Sequence, residues 1–342
     1  MSNEYRNHRD KLNNQKANEL LNDMPEFMED YYFHLVARNR STETIKGYLY
    51  EANIFLKFVA ANCNKEMKDL KVTDLDKIRM SQIDRYTGVS ADGIALTANA
   101  MRRKLSVIKS IYKYFIGIGS IKSNPTLLLE GARLHRKEVV KLSDEQVKRL
   151  LWSIQTQSGV SERSKNYNDR MVERDVAIVM VLLGTGMRIS ELVGLNVSDY
   201  DTTEKDQTAF HIIRKGGDDD VVYCVSQVAE SVNDYLELSR KLLLKDENET
   251  ALFLSLQGKR LSVSSVEKMV KKYVLAAGLP DNISPHKMRA TFATKVYKQT
   301  KDIYAVRDSL HHKSIDTSKN YISDKEERKE KAAQAVGVLF DF

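Results

Sequence analysis

The chain has 342 residues, enough for two domains of ordinary size. Hydrophobic residues make up 42% and charged residues 30%, so we expect a full core with a solvated surface. The 54 Lys and Arg against 47 Asp and Glu give a net charge of +7, which favours a polyanionic partner without requiring one.

Cysteine usage and hydropathy exclude two further classes. The two cysteines, Cys63 and Cys224, are far apart and form no CxxC pair, so neither a disulfide framework nor a zinc site of that type is supported. The first residues lack the apolar segment of a signal peptide, and the longest apolar run, 176–183, is too short to span a bilayer. We therefore expect a soluble, cytoplasmic chain with reduced thiols.

The first half of the chain is predicted to be helical. Residues 1–22 are polar and are interpreted as a flexible or loosely docked extension in which a helix is allowed. A hydroxyl among Ser41 to Thr44 can cap a helix that carries apolar residues at helical spacing. Shorter helices are expected near 74–78 and 81–86, and a long helix begins near Thr97.

A basic stretch covers the long helix and the segment that follows it. Residues 93–137 contain nine Lys and Arg but a single acid, Glu130, which is a stronger indication of a nucleic-acid partner than the net charge. An ordinary solvated helix face followed by a basic linker explains the pattern equally well. The candidate DNA-binding residues are Arg102, Arg103, Lys109, Lys113, Arg133, Arg136 and Lys137.

The second half is predicted to mix helices with a small sheet. Residues 131–141 have no apolar period and are interpreted as a linker, after which Ser143 can cap the first helix of a second domain. Two β-branched runs, 208–213 and 221–225, flank a glycine-rich turn and predict a hairpin. Further helices are expected at 174–183, 228–245, 264–277, 287–299 and 303–310. The predicted fold is therefore mainly α with a small antiparallel β-sheet, in two domains.

Two cations in the second half are candidates for binding a phosphate. Arg188 follows a glycine turn at the start of a short helix, where a helix N-terminus and a planar guanidinium both favour an anion. Lys215 lies at the predicted hairpin tip, from which it could protonate a leaving alkoxide. Taken alone, an arginine at the position of Arg188 is more often part of a structural salt bridge than a phosphate ligand, and Arg214 is an alternative to Lys215.

The last third adds two histidines, an arginine and a tyrosine. His286 and Arg289 are three residues apart at a helix start and so share one face, although a capping histidine and a surface arginine give the same pattern. His312 precedes Tyr321 by nine residues in a polar stretch. A free phenol ionises near ~10, so Tyr321 needs a base or neighbouring cations to attack at neutral pH. The adjacent His311 and His312 lack a third ligand at suitable spacing, so no metal site is predicted.

In order and spacing, these segments resemble the active site of tyrosine recombinases, the phage-integrase and Xer-type family. The resemblance covers roughly residues 142–325 and is carried by Thr185-Gly186-Met187-Arg188-Ile189-Ser190-Glu191-Leu192, Lys215, His286-Lys287-Met288-Arg289, His312 and Tyr321. The six-part order is specific, whereas no single part is. Residues 23–130 are similar to the helical, SAM-like core-binding domain of that family, through Thr44, Tyr48, the helix at 102–115 and Asn124-Pro125.

The resemblance implies a site-specific recombinase that needs no metal and no nucleotide cofactor. Tyr321 would attack a DNA phosphodiester, form a 3′-phosphotyrosyl link and release a 5′-hydroxyl. Arg188 and Arg289 would hold the phosphate, Lys215 would protonate the 5′-oxygen, His286 would exchange the tyrosine proton and His312 would hydrogen-bond the phosphate. The implied partner is duplex DNA with inverted repeats, bound by a homotetramer, with a second recombinase or a directionality factor as a further possible partner.

The chain departs from the family pattern at two places. His311 stands where the family usually has glycine, and three carboxylates, Asp218 to Asp220, follow the hairpin turn where basic residues are usual. Because carboxylates beside DNA would repel it, the turn either points away from phosphate or Lys215 acts only after a loop closes.

Three questions stay open at this stage. Residues 326–342 end in an apolar tail that can dock on its own chain or on a neighbouring protomer. A DNA-relaxing enzyme of type IB and a DNA-binding accessory protein are the alternatives to a recombinase. A recombinase could in turn integrate and excise a mobile element or resolve replicon dimers.

Overall fold

The computed structural model describes residues 3–90, 92–133, 140–159, 169–202, 208–214 and 217–311. These residues form two compact units that divide near residue 136. The N-terminal unit starts at Arg6, and the C-terminal unit contains the described residues beyond the division. Lys215, His312, Tyr321, Arg136, Lys137 and the tail at 326–342 lie outside the described residues.

The described part of the N-terminal half is helical. Its α-helices are α1 (Asn3–Asn22), α2 (Phe27–Ala37), α3 (Thr42–Cys63), α4 (Met80–Gly88) and α5 (Ala98–Gly117), with 3-10 turns at Met67–Asp69 and Val72–Lys77. Local caps set two of the boundaries: Ser41 accepts a hydrogen bond from the Thr44 amide, and Thr97 accepts one from the Ala100 amide, both at 3.3 Å. The predicted starts of these two helices are therefore confirmed.

The first 22 residues differ from the expected loose extension. Helix α1 buries Ala17 and Asn13, and the Asn13 amide donates to the Thr42 hydroxyl at 3.2 Å. The Lys46 ammonium donates to the Asn13 side-chain oxygen at 2.9 Å. Polar contacts, which hydrophobic periodicity does not detect, thus hold α1 to the beginning of α3.

The C-terminal unit combines helices with one small sheet. Its helices are α6 (Asp144–Thr156), α7 (Val172–Thr185), α8 (Ile189–Gly194), α9 (Ser226–Asp234), α10 (Lys241–Leu243), α11 (Val263–Ala276), α12 (Pro285–Thr300) and α13 (Ile303–Leu310), with a π-helical turn at Tyr235–Arg240 and 3-10 turns at Asp169–Met171 and Val197–Asp199. The strands are β1 (Tyr200–Asp201), β2 (Thr208–Ile213) and β3 (Asp219–Cys224). The predicted fold class, mainly α with a small antiparallel sheet, is confirmed.

The sheet is antiparallel in the order β1-β2-β3. Ile212 pairs with Asp220, and beyond the strand end the Arg214 amide donates to the Asp218 carbonyl at 2.8 Å. Strand β3 starts two residues earlier than predicted, because backbone pairing with β2 outweighs the poor strand propensity of aspartate. The register brings Arg214 and Asp220 to the same end of the hairpin.

Helix α7 lies at the centre of the core of the C-terminal unit. Ala177, Ile178, Val181 and Leu182 are fully buried, and the helix ends at Gly186 in the left-handed conformation with φ +62°. The chain then turns sharply into α8, which begins directly after the turn. Within the described ranges, no helix is both long enough and apolar enough to cross a bilayer.

Candidate active site

Arg188 lies at the N-cap of α8, immediately after the glycine turn. Its backbone amide donates to Glu191 Oε2 and its Nη1 lies 2.7 Å from Glu191 Oε1, so one carboxylate fixes both ends of the residue. The Arg188 side chain remains 34% exposed. The guanidinium is therefore held on one side and open to solvent on the other.

Glu191 also accepts from a second arginine. Its buried Oε2 lies 3.0 Å from Nη1 of Arg214, and Nε of Arg214 lies 2.7 Å from Oδ2 of Asp220. Arg214 is buried between these two carboxylates. Its guanidinium braces the interior of the unit, and this burial disfavours Arg214, one of the two alternatives, as an exposed cation of the hairpin.

Arg289 joins three parts of the C-terminal unit from the first turns of α12. It is only 3% exposed, its Nη1 donates to the Gly186 carbonyl, and its Nη2 donates to the Leu310 carbonyl at 2.6 Å. The positive charge of the Arg289 guanidinium therefore lies between the turn that precedes Arg188 and the end of α13. The alternative of an ordinary surface arginine at this position is wrong.

His286, one turn earlier on α12, lies in a positive environment. Partial desolvation lowers the pKa of its imidazole, and the charges of Lys287, Arg289 and Arg188 lower that pKa further. Arg289 also binds the Gly186 carbonyl, two residues before Arg188, so Arg188, Arg289 and His286 form a single cluster. A pKa below the ordinary histidine value leaves the ring neutral, and able to accept a proton, at neutral pH.

His311 closes the described part of the site. It caps the C-terminus of α13 in the left-handed conformation, at φ 50° and ψ 50°, and its Nδ1 lies 3.0 Å from Asp220 Oδ2. His312 follows directly in sequence, but it and Tyr321 lie outside the described residues.

Asp220 and Arg214 are site residues whose contacts sequence reasoning missed. The three aspartates after the hairpin turn suggested a repulsive acidic edge, whereas the Asp220 side chain binds Arg214 and approaches His311. The alternation of side chains along the strand could have indicated that Asp220 faces inward. Asp220 and the buried Val222 are two residues apart and so share a face of β3.

The basic residues of the N-terminal unit have different environments. Arg102, Lys113 and Arg133 are exposed. The Arg103 guanidinium lies 3.0 Å from Glu51, and the Lys109 ammonium donates to the Leu129 carbonyl. Arg102 and Lys113 on α5 are therefore better placed to meet an external phosphate than Lys109. In neither unit do the described residues include a group of three acidic, histidine or cysteine side chains that could hold a metal ion.

Comparison with known proteins identifies the family. Residues 140–328 match the phage integrase family. The chain is 30% identical over 312 residues to the tyrosine recombinase XerC of Caldanaerobacter subterraneus subsp. tengcongensis, an alignment that covers 87% of this chain and 82% of that protein.

Solved structures show the same fold. The XerH site-specific recombinase, in a post-cleavage complex with a palindromic difH substrate, aligns with a TM-score of 0.68 at 22% identity, over 94% of this chain and 88% of that one. The lambda integrase tetramer bound to a Holliday junction aligns with a TM-score of 0.61 at 15% identity, over 86% and 75% of the two chains.

The chain belongs to the phage integrase family. It is a tyrosine-type site-specific recombinase, an enzyme that cleaves and rejoins DNA through a tyrosine. The findings favour this function over the two alternatives, a DNA-relaxing enzyme and an accessory protein.

Proposed function

We propose that Arg188, Lys215, His286, Arg289, His312 and Tyr321 carry out DNA strand exchange in the roles that the resemblance to tyrosine recombinases implies. The observation that carries this proposal is the cluster of Arg188, Arg289 and His286: Arg289 donates to the Gly186 carbonyl in the turn just before Arg188, and desolvation together with the neighbouring positive charges lowers the pKa of the His286 imidazole. Such a cluster suits a doubly negative, pentacoordinate phosphorus, because fixed positive charges stabilise it without reorganisation.

Each step of the proposed reaction conserves the number of phosphate ester bonds. The Tyr321 phenol oxygen bonds to phosphorus while the bond from phosphorus to the 5′-oxygen breaks. The phenol proton passes to neutral His286, and Lys215 gives a proton to the departing 5′-oxygen. His312 hydrogen-bonds the phosphate. A 5′-hydroxyl from a second duplex then reverses the step, so ligation consumes neither water nor a nucleotide.

We propose duplex DNA with inverted repeats as the substrate, a homotetramer as the active assembly, and the cytoplasm as the place of action. The DNA complexes of XerH and lambda integrase, the latter a tetramer, support the substrate and the assembly. Residues 23–130 would form the core-binding domain, joined by a linker at 131–141 to a catalytic domain at 142–325. The exposed Arg102, Lys113 and Arg133 would contact phosphates from the core-binding domain.

The biological role and the tail belong to the same proposal. We propose that the strand exchange serves either the integration and excision of a mobile element or the resolution of replicon dimers. We propose that the apolar tail at 326–342 docks on a neighbouring protomer of the tetramer.

The test begins with a target sequence. The Tyr321→Phe protein, which should bind DNA without cleaving it, would select sequences from a pool of randomised duplexes. A recovered duplex is then nicked close to the cleavage point, so that the short strand is lost after cleavage and the covalent complex accumulates.

Wild-type protein should give a covalent protein–DNA band on a denaturing gel, and Tyr321→Phe should give none while it binds the duplex as tightly. A band of unchanged intensity with Tyr321→Phe would show that another residue is the nucleophile. Binding by the wild type without cleavage would favour a regulatory protein.

A further inference from the structure

Asp220 connects two elements of the site through a single oxygen atom. Its Oδ2 lies 2.7 Å from Nε of Arg214, at the end of β2, and 3.0 Å from Nδ1 of His311, at the end of α13. We infer that Asp220 is a positioning residue of the recombinase: it holds the hairpin that carries Lys215 and the segment that leads to His312 in one fixed arrangement. The inference rests on the proposed function and goes beyond it, because Asp220 has no part in the roles proposed above.

The contact between Asp220 and Arg214 fixes the base of the hairpin. The Gly217 amide donates to the Arg214 carbonyl at 3.0 Å, so the described residues on either side of Lys215 and Gly216 are held together. Asp220 binds the Arg214 side chain from the facing strand. With the Asp220 side chain only 15% exposed, water competes weakly for this ion pair.

The contact between Asp220 and His311 holds His311 in an unfavourable backbone conformation. His311 has φ 50°, a left-handed region that is unfavourable for a residue other than glycine. The contact of its imidazole with Asp220 compensates for part of this cost. On the other side, Arg289 binds the carbonyl of the preceding residue, Leu310. The chain is thus fixed from two directions immediately before His312.

Asp220 also ends a row of alternating charges. Starting from the half-exposed Arg188, the row runs Arg188, Glu191, Arg214 and Asp220, with successive side-chain contacts of 2.7, 3.0 and 2.7 Å, and Asp220 then contacts the His311 imidazole at 3.0 Å. Loss of Asp220 would leave the buried Arg214 with one carboxylate fewer and would release His311. Both effects displace groups near the reacting phosphate without removing any of them.

A purely structural ion pair would have a different signature from a positioning residue. Its loss would lower the stability of the fold but leave the cleavage rate of the folded, DNA-bound protein unchanged. Asp220→Asn keeps the size of the side chain and removes its charge. Asp219→Asn is the matched control, because Asp219 is an exposed neighbour on β3 and its loss changes the net charge by the same amount.

We expect Asp220→Asn to slow the formation of the covalent complex on the nicked duplex by roughly 10- to 100-fold, the size of effect produced by a displacement of about 1 Å at a reacting centre. Its Kd for the intact duplex should stay within about twofold of the Asp219→Asn value, since both substitutions remove one negative charge near DNA. Equal cleavage rates for the two variants would overturn the inference.

His311→Gly provides a second test, which can be carried out even if the Asp220→Asn protein does not fold. Glycine suits the left-handed conformation, so this variant should fold at least as well as wild type. It should nevertheless cleave about tenfold more slowly, because the imidazole contact is gone. A cleavage rate at or above that of wild type would show that His311 does not act in positioning.

The double variant tests whether the two residues act together. If Asp220 acts through His311, Asp220→Asn should slow cleavage less in the His311→Gly background than in wild type, whereas independent residues give factors that multiply. Fully multiplying factors would contradict the coupling. A wild-type protein that forms no covalent complex would overturn the proposed function and this inference together, while equal rates in an active protein would overturn the inference alone.

Discussion

His286 shows how the positive charges of the site control the chemistry of a single residue. Desolvation and the charges of Lys287, Arg289 and Arg188 all disfavour its protonated form and lower its pKa. If neutral His286 accepts the tyrosine proton, cleavage should persist with falling pH and decline only below the ordinary histidine pKa of about 6.5.

Lys287→Gln tests this electrostatic control without removing a group of the proposed mechanism. The substitution removes one positive charge beside the imidazole, which stabilises the imidazolium and raises the pKa of His286. The acid limb of the cleavage rate should therefore move to higher pH, measured as covalent complex formed per unit time between about pH 5 and 8. Lys298→Gln, at the exposed far end of the same helix, serves as the control. An identical shift in both variants would indicate a general charge effect.

Glu191 is a second single residue on which the properties of the site depend, here through the stability of the fold. It is buried, and it contacts both the half-exposed Arg188 and the buried Arg214. Glu191→Ala leaves the Arg214 charge with Asp220 as its remaining carboxylate contact, and loss of one partner from a buried ion pair costs about 3–5 kcal/mol. The urea midpoint should fall accordingly. Glu230→Ala, an exposed glutamate on α9, should change stability by less than about 0.5 kcal/mol. Similar midpoints for the two variants would contradict the buried-charge argument.

Among the elements, the turn between α7 and α8 requires a glycine for two reasons. Gly186 has φ +62°, and a Cβ atom there would overlap the Phe292 ring and lie 3.0 Å from Leu310 Cδ2. The Gly186 carbonyl also accepts the hydrogen bond from Arg289. A larger residue would therefore disturb both the backbone and the position of Arg289.

Gly186→Ala should destabilise the protein through backbone strain and through overlap, which cost on the order of 1–2 and 1–3 kcal/mol respectively. Gly278→Ala is the matched control, since Gly278 has φ +63° and its added Cβ would meet nothing within 4 Å. The difference between their melting temperatures isolates the overlap. Equal losses in the two variants would mean that Phe292 and Leu310 move aside without cost.

Sequence reasoning succeeded where the determinants of an element are local. Ser143 caps α6 as predicted, in a capping box with Gln146, and helix α13 has the predicted bounds. It failed where the determinants are distant. The Lys109 ammonium binds the Leu129 carbonyl, and Asp220 meets His311 from another element, two contacts that no local pattern encodes. The two-residue strand β1 is too short to leave a periodic signal.

In the whole molecule, we propose that the C-terminal unit carries out catalysis and the N-terminal unit contributes to DNA affinity. The proposed catalytic groups belong to the sequence range of the C-terminal unit, whereas the described part of the basic stretch, up to residue 133, belongs to the N-terminal unit. Contacts with phosphates by the N-terminal unit should add affinity on every sequence, because they neutralise the backbone and release counterions. Affinity and cleavage should therefore respond separately to substitutions in the two units.

Arg102→Ala combined with Lys113→Ala tests this division, because both side chains are exposed on α5. Binding should weaken on specific and random duplexes alike. The slope of log K against log salt should become shallower by about 1.8, or 0.9 for each phosphate that is no longer neutralised. Lys68→Ala with Lys71→Ala removes the same charge from exposed positions outside the basic stretch and should leave the slope nearly unchanged. The rate of covalent-complex formation at saturating protein should stay at the wild-type value. An unchanged slope for the α5 variant would place the DNA on another face of the N-terminal unit.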